Sequence, residues 1–208
     1  MSLRKDIISS AIGIVVLTLA FGLIYPLVMT GVGQLAFHGN ANGQLIHSPD
    51  GKLLGSKLIG QNFNNNPSYF QSRPSGTSPA YNAAASSFAN YGPNSKITEQ
   101  AIAANISAYV KLNGRYYPGG LTAAKVPVDA ADTSASGIDP DISVANADIQ
   151  AYRIASVRGL SRATVDGLIA DNTAGRFLGF SGQPSVNVLE LNLALDRLRA
   201  SGTGRAAG

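Results

Sequence analysis

The side chains able to do chemistry are few and widely separated in this sequence. Arg73 lies in the stretch YFQSRPSG, residues 69–76, and the next charged residue along the chain is Lys96. A catalytic loop normally brings together a nucleophile, a base and an orienting acid. The chain has only two histidines, His38 and His47, and no cysteine. Neither histidine has the spacing of a metal ligand, so we expect both to be exposed, and we assign no catalytic residue.

Arg73 has two interpretations. Its guanidinium group could donate paired hydrogen bonds to a buried carboxylate, Asp139 or Asp141, or to backbone carbonyls that pin a long loop. It could instead contact a substrate. We favour the internal pin because an unpaired Arg beside aromatic residues rarely stays buried.

The two carboxylates in GIDPDIS, Asp139 and Asp141, resemble a cation site at first sight. A hard cation needs more oxygen ligands than this spacing supplies. Asp next to Pro, and Asp shortly before a helix, are typical of turns and caps. We therefore expect these residues to be structural and predict no metal site.

A glycine-rich stretch, GVGQLA at residues 31–36, matches the pattern of a dinucleotide-binding turn. That pattern requires a strand before it and a helix after it. Here an apolar, membrane-type segment precedes it, which favours a linker. No Walker-type phosphate loop occurs anywhere in the sequence. We expect no cofactor to bind this chain directly.

Aromatic residues cluster in the uncharged stretch around Arg73. They are Tyr69, Phe70, Tyr81, Phe88 and Tyr91. Interfaces between proteins favour aromatic residues and Arg and disfavour other charges. The cluster therefore predicts a docking patch for a partner, while closure of the domain's own core is an equal alternative.

The composition is that of a folded domain with a nearly neutral surface. Charged residues make up 13% of the 208 residues, apolar residues 45%, and the formal net charge is +4. No run of Lys or Arg is longer than Arg4–Lys5, which argues against a nucleic-acid partner.

The strongest physical signal is an uncharged segment at residues 7–29. Its 23 residues would form about 34 Å of helix, enough to cross a hydrocarbon core of about 30 Å. Arg4 and Lys5 precede it and the next basic residue is Lys52, so the positive-inside rule leaves the N-terminus in the cytoplasm and places the rest outside. The segment is too long for a signal peptide.

Small residues within this span could admit a neighbouring helix. They are Ser9, Ser10, Gly13 and Gly22. Small side chains let two helix backbones approach closely in lipid, although they are equally common in any single-span anchor.

Downstream, the pattern predicts one α+β domain. Ser48-Pro49-Asp50-Gly51 predicts a turn, and residues 64–95 lack periodicity. Strands are expected at Leu53–Leu54, Leu58–Ile59 and Val126–Val128. Four helices are expected as well. The first carries Ile97, Ala101, Ala104, Ala108 and Leu112 on one face, the second covers 143–157, the third is capped by Ser161 and the fourth by Asn187.

The predicted organisation has five segments. They are a cytoplasmic N-terminus at 1–6, a transmembrane helix at 7–29, a linker at 30–44, an extracytoplasmic domain at 45–200 and a flexible tail at 201–208.

Several ordered blocks resemble a known family. They are LIGQNF, NPSYFQSRPSG, PAYN, ASGIDPDIS, RGLS and GQPSVNVLELNLALDRL, all behind one N-terminal span. The chain resembles the C subunit of the Kdp potassium-transporting P-type ATPase over nearly its whole length. Departures occur at Phe88, Ala89 and Tyr91, where the family has small or polar residues.

The resemblance implies an accessory subunit in the cell membrane. Its implied partners are a channel-like potassium-translocating subunit, a P-type ATP-hydrolysing subunit, a small single-helix subunit and membrane lipid. ATP and potassium would be handled by those partners, with this chain assembling the complex or acting as a catalytic chaperone that raises ATP affinity. The alternative is a membrane-anchored extracytoplasmic binding module or hydrolase.

Overall fold

The computed structural model describes residues 2–86, 90–92 and 94–203 of the chain, with side chains as far as residue 198. The chain divides into two compact units, the first ending at Ile46 and the second beginning at His47. The first unit is an apolar helix. The second is a mixed helix and strand domain, so the predicted α+β class behind a single N-terminal apolar helix is confirmed.

The first unit is almost continuously helical. It comprises α1 (Leu3–Leu19), a π-helical turn (Ala20–Ile24), α2 (Tyr25–Ala36) and the short α3 (His38–Ala41). The stretch from Leu3 to Ala36 is 34 residues long and apolar enough to cross a membrane, and none of its most apolar window is buried against the protein. The helix therefore extends past the predicted span at both ends, and Thr30 to Ala36 are helical rather than linker.

Pro26 lies inside this helix, ten residues before its end. Proline has no amide hydrogen, and its ring clashes with the carbonyl four residues earlier in an α-helix. The π turn just before it relieves this clash, because Tyr25 donates its amide hydrogen to Ala20 O, five residues back. The helix continues through Pro26 for that reason.

The second unit is built on a small antiparallel sheet. Its strands are β3 (Asp141–Ser143), β4 (Thr173–Ala174) and β5 (Ser185–Asn187), in the order β3-β5-β4. In the register, Ile142 lies opposite Val186 and both are buried, so one face of the sheet carries core residues. β1 (Leu45–His47) and β2 (Leu53–Ser56) flank the predicted turn, in which Ser48 donates its amide hydrogen to Lys52 O at 2.9 Å.

Three capped helices cover this sheet: α6 (Val144–Arg158), α7 (Arg162–Asp171) and α8 (Val188–Thr203). The predicted caps Ser161 and Asn187 are confirmed, and Ser143 caps the helix that was expected over 143–157. Ser143 and Ser161 accept the amide hydrogens of Asn146 and Thr164, and Asn187 accepts that of Glu190 at 3.1 Å. Their apolar faces form the main core, which contains Phe70, Ile142, Ala147, Ala151, Ile154, Val165, Ile169, Val186, Val188, Leu191 and Leu195.

A second, smaller core lies around α4 (Lys96–Asn113) and α5 (Val128–Ala131) and contains Tyr109, Leu121, Ala130 and Ile149. The stripe of apolar residues predicted for α4 is not its buried face: Ile97 is 56% exposed, whereas Tyr109 and Asn113 are buried. The stripe consists mainly of alanines, which bury little area, so one tyrosine on another face decides the orientation.

Two predicted strands are wrong. Leu58–Ile59 lie in a turn, and Val126–Val128 run into α5 after a 3₁₀ turn at Ala123–Lys125. Pro127 lies between those valines and cannot donate a ladder hydrogen bond, but it caps the start of α5. Short apolar runs occur both in strands and in turns that pack against the core, so such a run does not by itself identify a strand.

We predict opposite effects for two glycine-to-alanine substitutions. Gly60 donates its amide hydrogen to Ile138 O at 2.7 Å, and a Cβ there would lie 2.4 Å from Asp139 O, so Gly60→Ala should cost about 1–3 kcal/mol. Gly167 lies within α7 with no atom within 4 Å of the added Cβ, so Gly167→Ala should stabilise the domain by up to about 1 kcal/mol. Thermal unfolding of the full chain in detergent measures both; shifts of the same sign would contradict the close approach at Gly60.

Candidate functional site

The segment 67–82, here named the clamped loop, has almost no regular structure yet is tied to the domain by many side chains. It contains the YFQSRPSG stretch and is followed by a short 3₁₀ turn, Ala83–Ala85. A buried loop must satisfy its backbone groups from outside itself. The partners come from α6 and α8.

Arg153 of α6 is the centre of this arrangement. Its side chain is fully buried, and it donates to Asn113 Oδ1 at 2.9 Å, to Gln150 Oε1 at 2.8 Å and to the carbonyls of Pro67 and Tyr69. All these acceptors are neutral oxygens. Burial therefore lowers the pKa of Arg153 to about 10, because no carboxylate bonds to the guanidinium group to offset its lost hydration.

Two buried amide side chains bind the backbone next to Tyr69. Asn192 of α8 accepts from the amide of Phe70 at 2.8 Å and donates to the carbonyl of Phe70 at 2.9 Å. Gln150 does the same for Gln71, at 2.7 and 3.1 Å. Each amide side chain thus replaces a neighbouring strand, which leaves the loop without unsatisfied backbone groups at these two residues.

Arg158 at the end of α6 holds the outer edge of the loop. It donates to Ser68 O at 2.6 Å and makes two hydrogen bonds of 2.9 Å to Asp196. Tyr69 donates its hydroxyl hydrogen to the same carboxylate at 3.0 Å, and its ring centroid lies 4.8 Å from the Arg158 guanidinium carbon. Burial, together with this hydrogen bond, raises the pKa of Tyr69.

Arg73, the residue singled out in the sequence, lies at the other end of the loop. It makes a 3.1 Å ion pair with Asp139 and a 3.3 Å hydrogen bond to Thr133 O. Asp141 has other partners, since it accepts from Ser185 at 2.9 Å and from Asn187 at 3.2 Å. Both carboxylates therefore have structural contacts, as the turn and capping interpretation predicted.

The remaining turn of the loop is closed by hydroxyl groups. Ser75 donates to Gly137 O at 2.6 Å and accepts from the amide of Tyr81 at 2.9 Å. Tyr81 in turn donates its hydroxyl hydrogen to the carbonyl of Arg73. Burial raises the pKa of Tyr81 to about 12.

The clamp is connected to the small core by a second polar chain. Asn146 donates to Asp129 of α5 at 3.0 Å, and its Oδ1 accepts from Gln150 at 2.9 Å and from Tyr109 at 2.8 Å. Burial, and the nearby Asp129, raise the pKa of Tyr109. The clamped loop, α4, α5 and α6 therefore share one hydrogen-bonded network.

The predicted aromatic patch is mostly inside the domain. Phe70 is fully buried in the main core, so its ring cannot belong to a docking surface, and Tyr69 and Tyr81 are half-buried with bonded hydroxyls. Tyr91 is 52% exposed, and Phe88 and Ala89 lie outside the described residues. Side chains of α6 and α8 bind the backbone of the loop. The aromatic rings of the loop therefore face the interior of the domain.

The small residues of the apolar helix lie on its surface. Ser9, Ser10 and Gly13 fall within one and a half turns of α1, and a Cβ at Gly13 would meet no atom within 4 Å. Gly22 lies in the π turn. Contact of these residues with another helix stays a prediction.

The remaining candidate features of the domain are a surface cleft and the two histidines. A surface cleft of about 450 Å³ is lined by Tyr117, Ala145, Asp148, Ile149, Tyr152, Arg162 and Asp166. The guanidinium carbon of Arg162, in this cleft, lies 3.9 Å from the centroid of the Tyr152 ring. Arg162 Nε forms an ion pair of 2.6 Å with Asp166 Oδ1. Burial raises the pKa of the Asp148 carboxyl in this cleft. His38 and His47 are both exposed, and no group of three His, Cys, Asp or Glu side chains lies together among residues 2–86, 90–92 and 94–203.

Comparison with known proteins matches almost the whole chain. Residues 7–197 match the KdpC family, described as the c chain of the K⁺-transporting ATPase. A potassium-transporting ATPase KdpC subunit from Mycobacterium tuberculosis (strain H37Rv) is 46% identical over 197 residues, which is 94% of this chain and 100% of the relative. Proteins of the same name are 50% identical over 187 residues in Methylococcus capsulatus, covering 89% and 94% of the two chains, and 42% identical over 204 residues in Koribacter versatilis, covering 98% and 100%.

The chain belongs to the KdpC family. The resemblance drawn from the sequence blocks is therefore confirmed. Those blocks meet in the clamp: LIGQNF and ASGIDPDIS are joined by the Gly60–Ile138 hydrogen bond, RGLS contributes Arg158, and the last block contributes Asn192 and Asp196. The family-like blocks, far apart in sequence, form one contiguous site.

Sequence reasoning missed Arg153, Gln150 and Asn192, which bind the loop most directly. The signal was present: Asn146, Gln150 and Arg153 recur at helical spacing along α6, beside the buried Ala147, Ala151 and Ile154. Polar residues on an apolar helix face predict buried hydrogen bonds to some other segment. They do not say which segment.

We predict that Arg153→Met releases the clamped loop. The substitution removes the guanidinium donor from four acceptor oxygens, of which only Gln150 Oε1 and Tyr69 O keep a second donor, in Gln71, so the domain should lose about 3 kcal/mol or more of stability. Amide hydrogen exchange of Phe70 and Gln71 in the full chain should accelerate. Arg115→Met is the matched control, since Arg115 is exposed and should change stability by less than about 0.5 kcal/mol. Equal protection of Phe70 and Gln71 in both variants would refute the role of Arg153.

We also predict a specific alkaline pH dependence for Tyr81. The pKa of Tyr81 is raised by burial, so its stabilising contribution is complete below about pH 10, the pKa of tyrosine in an unfolded chain, and is lost as the pH rises towards about 12. Tyr81→Phe cannot ionise. The free energy of unfolding of the wild type minus that of the variant should fall by about 1 kcal/mol for each pH unit in this window. Denaturant unfolding at several pH values measures it, and a constant difference would contradict the buried phenol.

Proposed function

We propose that this chain is the assembly subunit of a potassium-transporting ATPase and that its folded domain docks on the outer face of the channel-like subunit. The proposal is supported by the match to the KdpC family and by relatives named as KdpC subunits. The observation that carries it is the clamped loop, in which a long irregular segment is fixed by buried side chains of its own domain.

A rigid loop is an economical docking element. A loop that is already ordered loses little conformational entropy when a partner binds. Within 67–82 the only charged side chain is Arg73, which is paired with Asp139, so a partner would not have to desolvate a free charge there. Arg73 then serves as a pin for the loop.

The charge distribution around the apolar helix supports an extracytoplasmic position for the domain. Arg4 and Lys5 precede the helix, and the next basic residue after it is Lys52. Under the positive-inside rule the N-terminus is cytoplasmic and the domain lies across the inner membrane from it. Lipid surrounds the span, and Ser9, Ser10, Gly13 and Gly22 offer places where a partner's helix could pack.

This position limits how the chain could raise ATP affinity. ATP hydrolysis by a P-type subunit takes place in the cytoplasm, so a domain outside the membrane would not touch the nucleotide. Any chaperone effect must pass through the span or through the channel-like subunit as a coupling free energy between distant sites. Enzymatic activity of this chain by itself is not part of the proposal.

Exchange of the span for an unrelated one tests the docking. The full chain with residues 3–36 replaced should still co-purify with the channel-like subunit when all subunits are expressed together. In the wild-type chain, which keeps Arg4 and Lys5, a reporter fused after Gly208 should face outward. Potassium-stimulated ATPase activity should fall when the chain is omitted. The wild-type chain is the control for recovery.

Three results would count against the proposal. Recovery of the exchanged chain without the channel-like subunit would place the binding in the span. A reporter facing the cell interior would overturn the topology. Recovery of the wild-type chain alone would favour a membrane-anchored binding module or hydrolase.

A further inference from the structure

The dipeptide Asn-Gly occurs twice in this sequence, once at Asn42 and once at Asn113. An asparagine side chain can lose ammonia when the amide nitrogen of the next residue attacks its carbonyl carbon. Glycine favours this attack because it has no Cβ to keep the two groups apart. The two sites therefore have the same intrinsic chemistry, and their surroundings must decide whether they react.

Backbone conformation does not distinguish the two asparagines. Asn42 has φ −105° and ψ 20°, and Asn113 has φ −105° and ψ −24°. Asn42 directly follows α3, and Asn113 is the last residue of α4. At both sites the amide of the following glycine donates its hydrogen to a carbonyl of the preceding turn. Reaction at either site therefore requires local opening of a helix end.

Burial makes this opening costly at Asn113. The residue is 1% exposed, its Nδ2 donates to Tyr109 O at 3.0 Å, and its Oδ1 accepts from Arg153 at 2.9 Å. Movement of the side chain would break both hydrogen bonds and would leave the buried guanidinium group of Arg153 without one of its acceptors. The fold therefore protects this dipeptide.

Asn42 is held less firmly because it is exposed. Its Nδ2 donates to His38 O at 2.7 Å and to Gln34 Oε1 at 3.1 Å, and it lies 3.2 Å from His38 Nδ1. Water can replace each of these exposed contacts, so their loss costs little free energy. The helix before it, α3, has only four residues, and exposed helix ends of this kind open readily.

We propose that Asn42 is a site of spontaneous deamidation, whereas the fold protects the same dipeptide at Asn113. The amide nitrogen of Gly43 attacks Cγ of Asn42, the bond from Cγ to Nδ2 breaks, and ammonia leaves with the proton of the Gly43 amide. Water then opens the resulting cyclic imide at either of its carbonyls, which gives aspartate or isoaspartate. Water is the only other reactant, and nothing is oxidised or reduced.

The product cannot make the contacts that Asn42 makes. A carboxylate has no hydrogen to donate to His38 O or to Gln34 Oε1, and it places a negative charge next to the His38 carbonyl. The isoaspartate form also adds a carbon to the backbone. Deamidation therefore loosens the last part of the first unit, residues 37–46, immediately before the second unit begins.

Peptide mass spectrometry of the full chain, aged in detergent at mildly alkaline pH, measures both sites. The peptide that contains Asn42 should gain the mass difference between an amide and an acid and should separate into aspartate and isoaspartate forms. The peptide that contains Asn113 should react at least about tenfold more slowly. Asn42→Gln is the control, because glutamine would have to form a larger ring and its peptide should stay unchanged. An unreacted Asn42, or equal rates at the two sites, would overturn the proposal.

The chain unfolded in guanidinium chloride separates protection by the fold from intrinsic reactivity. Both asparagines precede glycine, so we expect them to react at similar rates once the structure is lost. A rate at Asn113 that stays as low in the unfolded chain as in the folded chain would refute its protection.

Two aspartate variants test the loosening of residues 37–46. Asn42→Asp and Asn40→Asp add the same charge to the same exposed segment, but Asn40 Oδ1 accepts from Gln44 at 2.7 Å, which a carboxylate can also do. Amide hydrogen exchange at residues 42 and 44 of the full chain should accelerate about threefold or more in Asn42→Asp and stay near the wild-type rate in Asn40→Asp. Equal exchange in the two variants would contradict the loss of the Asn42 contacts.

Discussion

The fold of the domain depends on one buried cation. Arg153 has no carboxylate among its hydrogen-bond acceptors, and its guanidinium group is satisfied by neutral oxygens, two of which are carbonyls of a distant loop. Burial of an ion is costly unless every donor is matched. The match is available only when residues 67–69 lie against α6, so the charge makes this arrangement of the loop far more favourable than any other. A hydrophobic side chain in the same place would leave the carbonyls of Pro67 and Tyr69 without the guanidinium donor and would not select this position of the loop.

When the loop is held against α6, the contacts of the residues next to it can form. Asn192 and Gln150 bind the next two residues, Phe70 enters the main core, and Arg73 reaches Asp139. Gly60 is required where the chain returns close to Asp139, since a Cβ would collide with the Asp139 carbonyl. These contacts hold the irregular segment in one conformation. The charged side chain of the loop, Arg73, is paired with Asp139, so the surface that the loop leaves for a partner is neutral.

The family assignment fits this design. A KdpC-family chain is a subunit of a larger assembly, and a subunit needs surfaces that stay in one shape until the partner arrives. In the described residues the strongly shifted side chains, Arg153, Tyr81 and Tyr109, are all engaged in hydrogen bonds inside the domain. Burial is the first cause of each of these pKa shifts.

Local patterns were enough to predict several features of this protein: the apolar helix, the helix α6, the caps of α7 and α8, the turn at Ser48–Gly51 and the α+β class. Each depends on residues within a few positions of one another, where propensity and side-chain capping act. The orientation of α4, the burial of Phe70 and the identity of the residues that clamp the loop could not be predicted in this way. They depend on pairings between distant residues, which are 37 positions apart for Tyr109 with Asn146 and 122 for Asn192 with Phe70. Only the tertiary structure decided them. The sequence shows that a buried polar side chain must have a hydrogen-bond partner, but only the packing of the chain determines which residue that partner is.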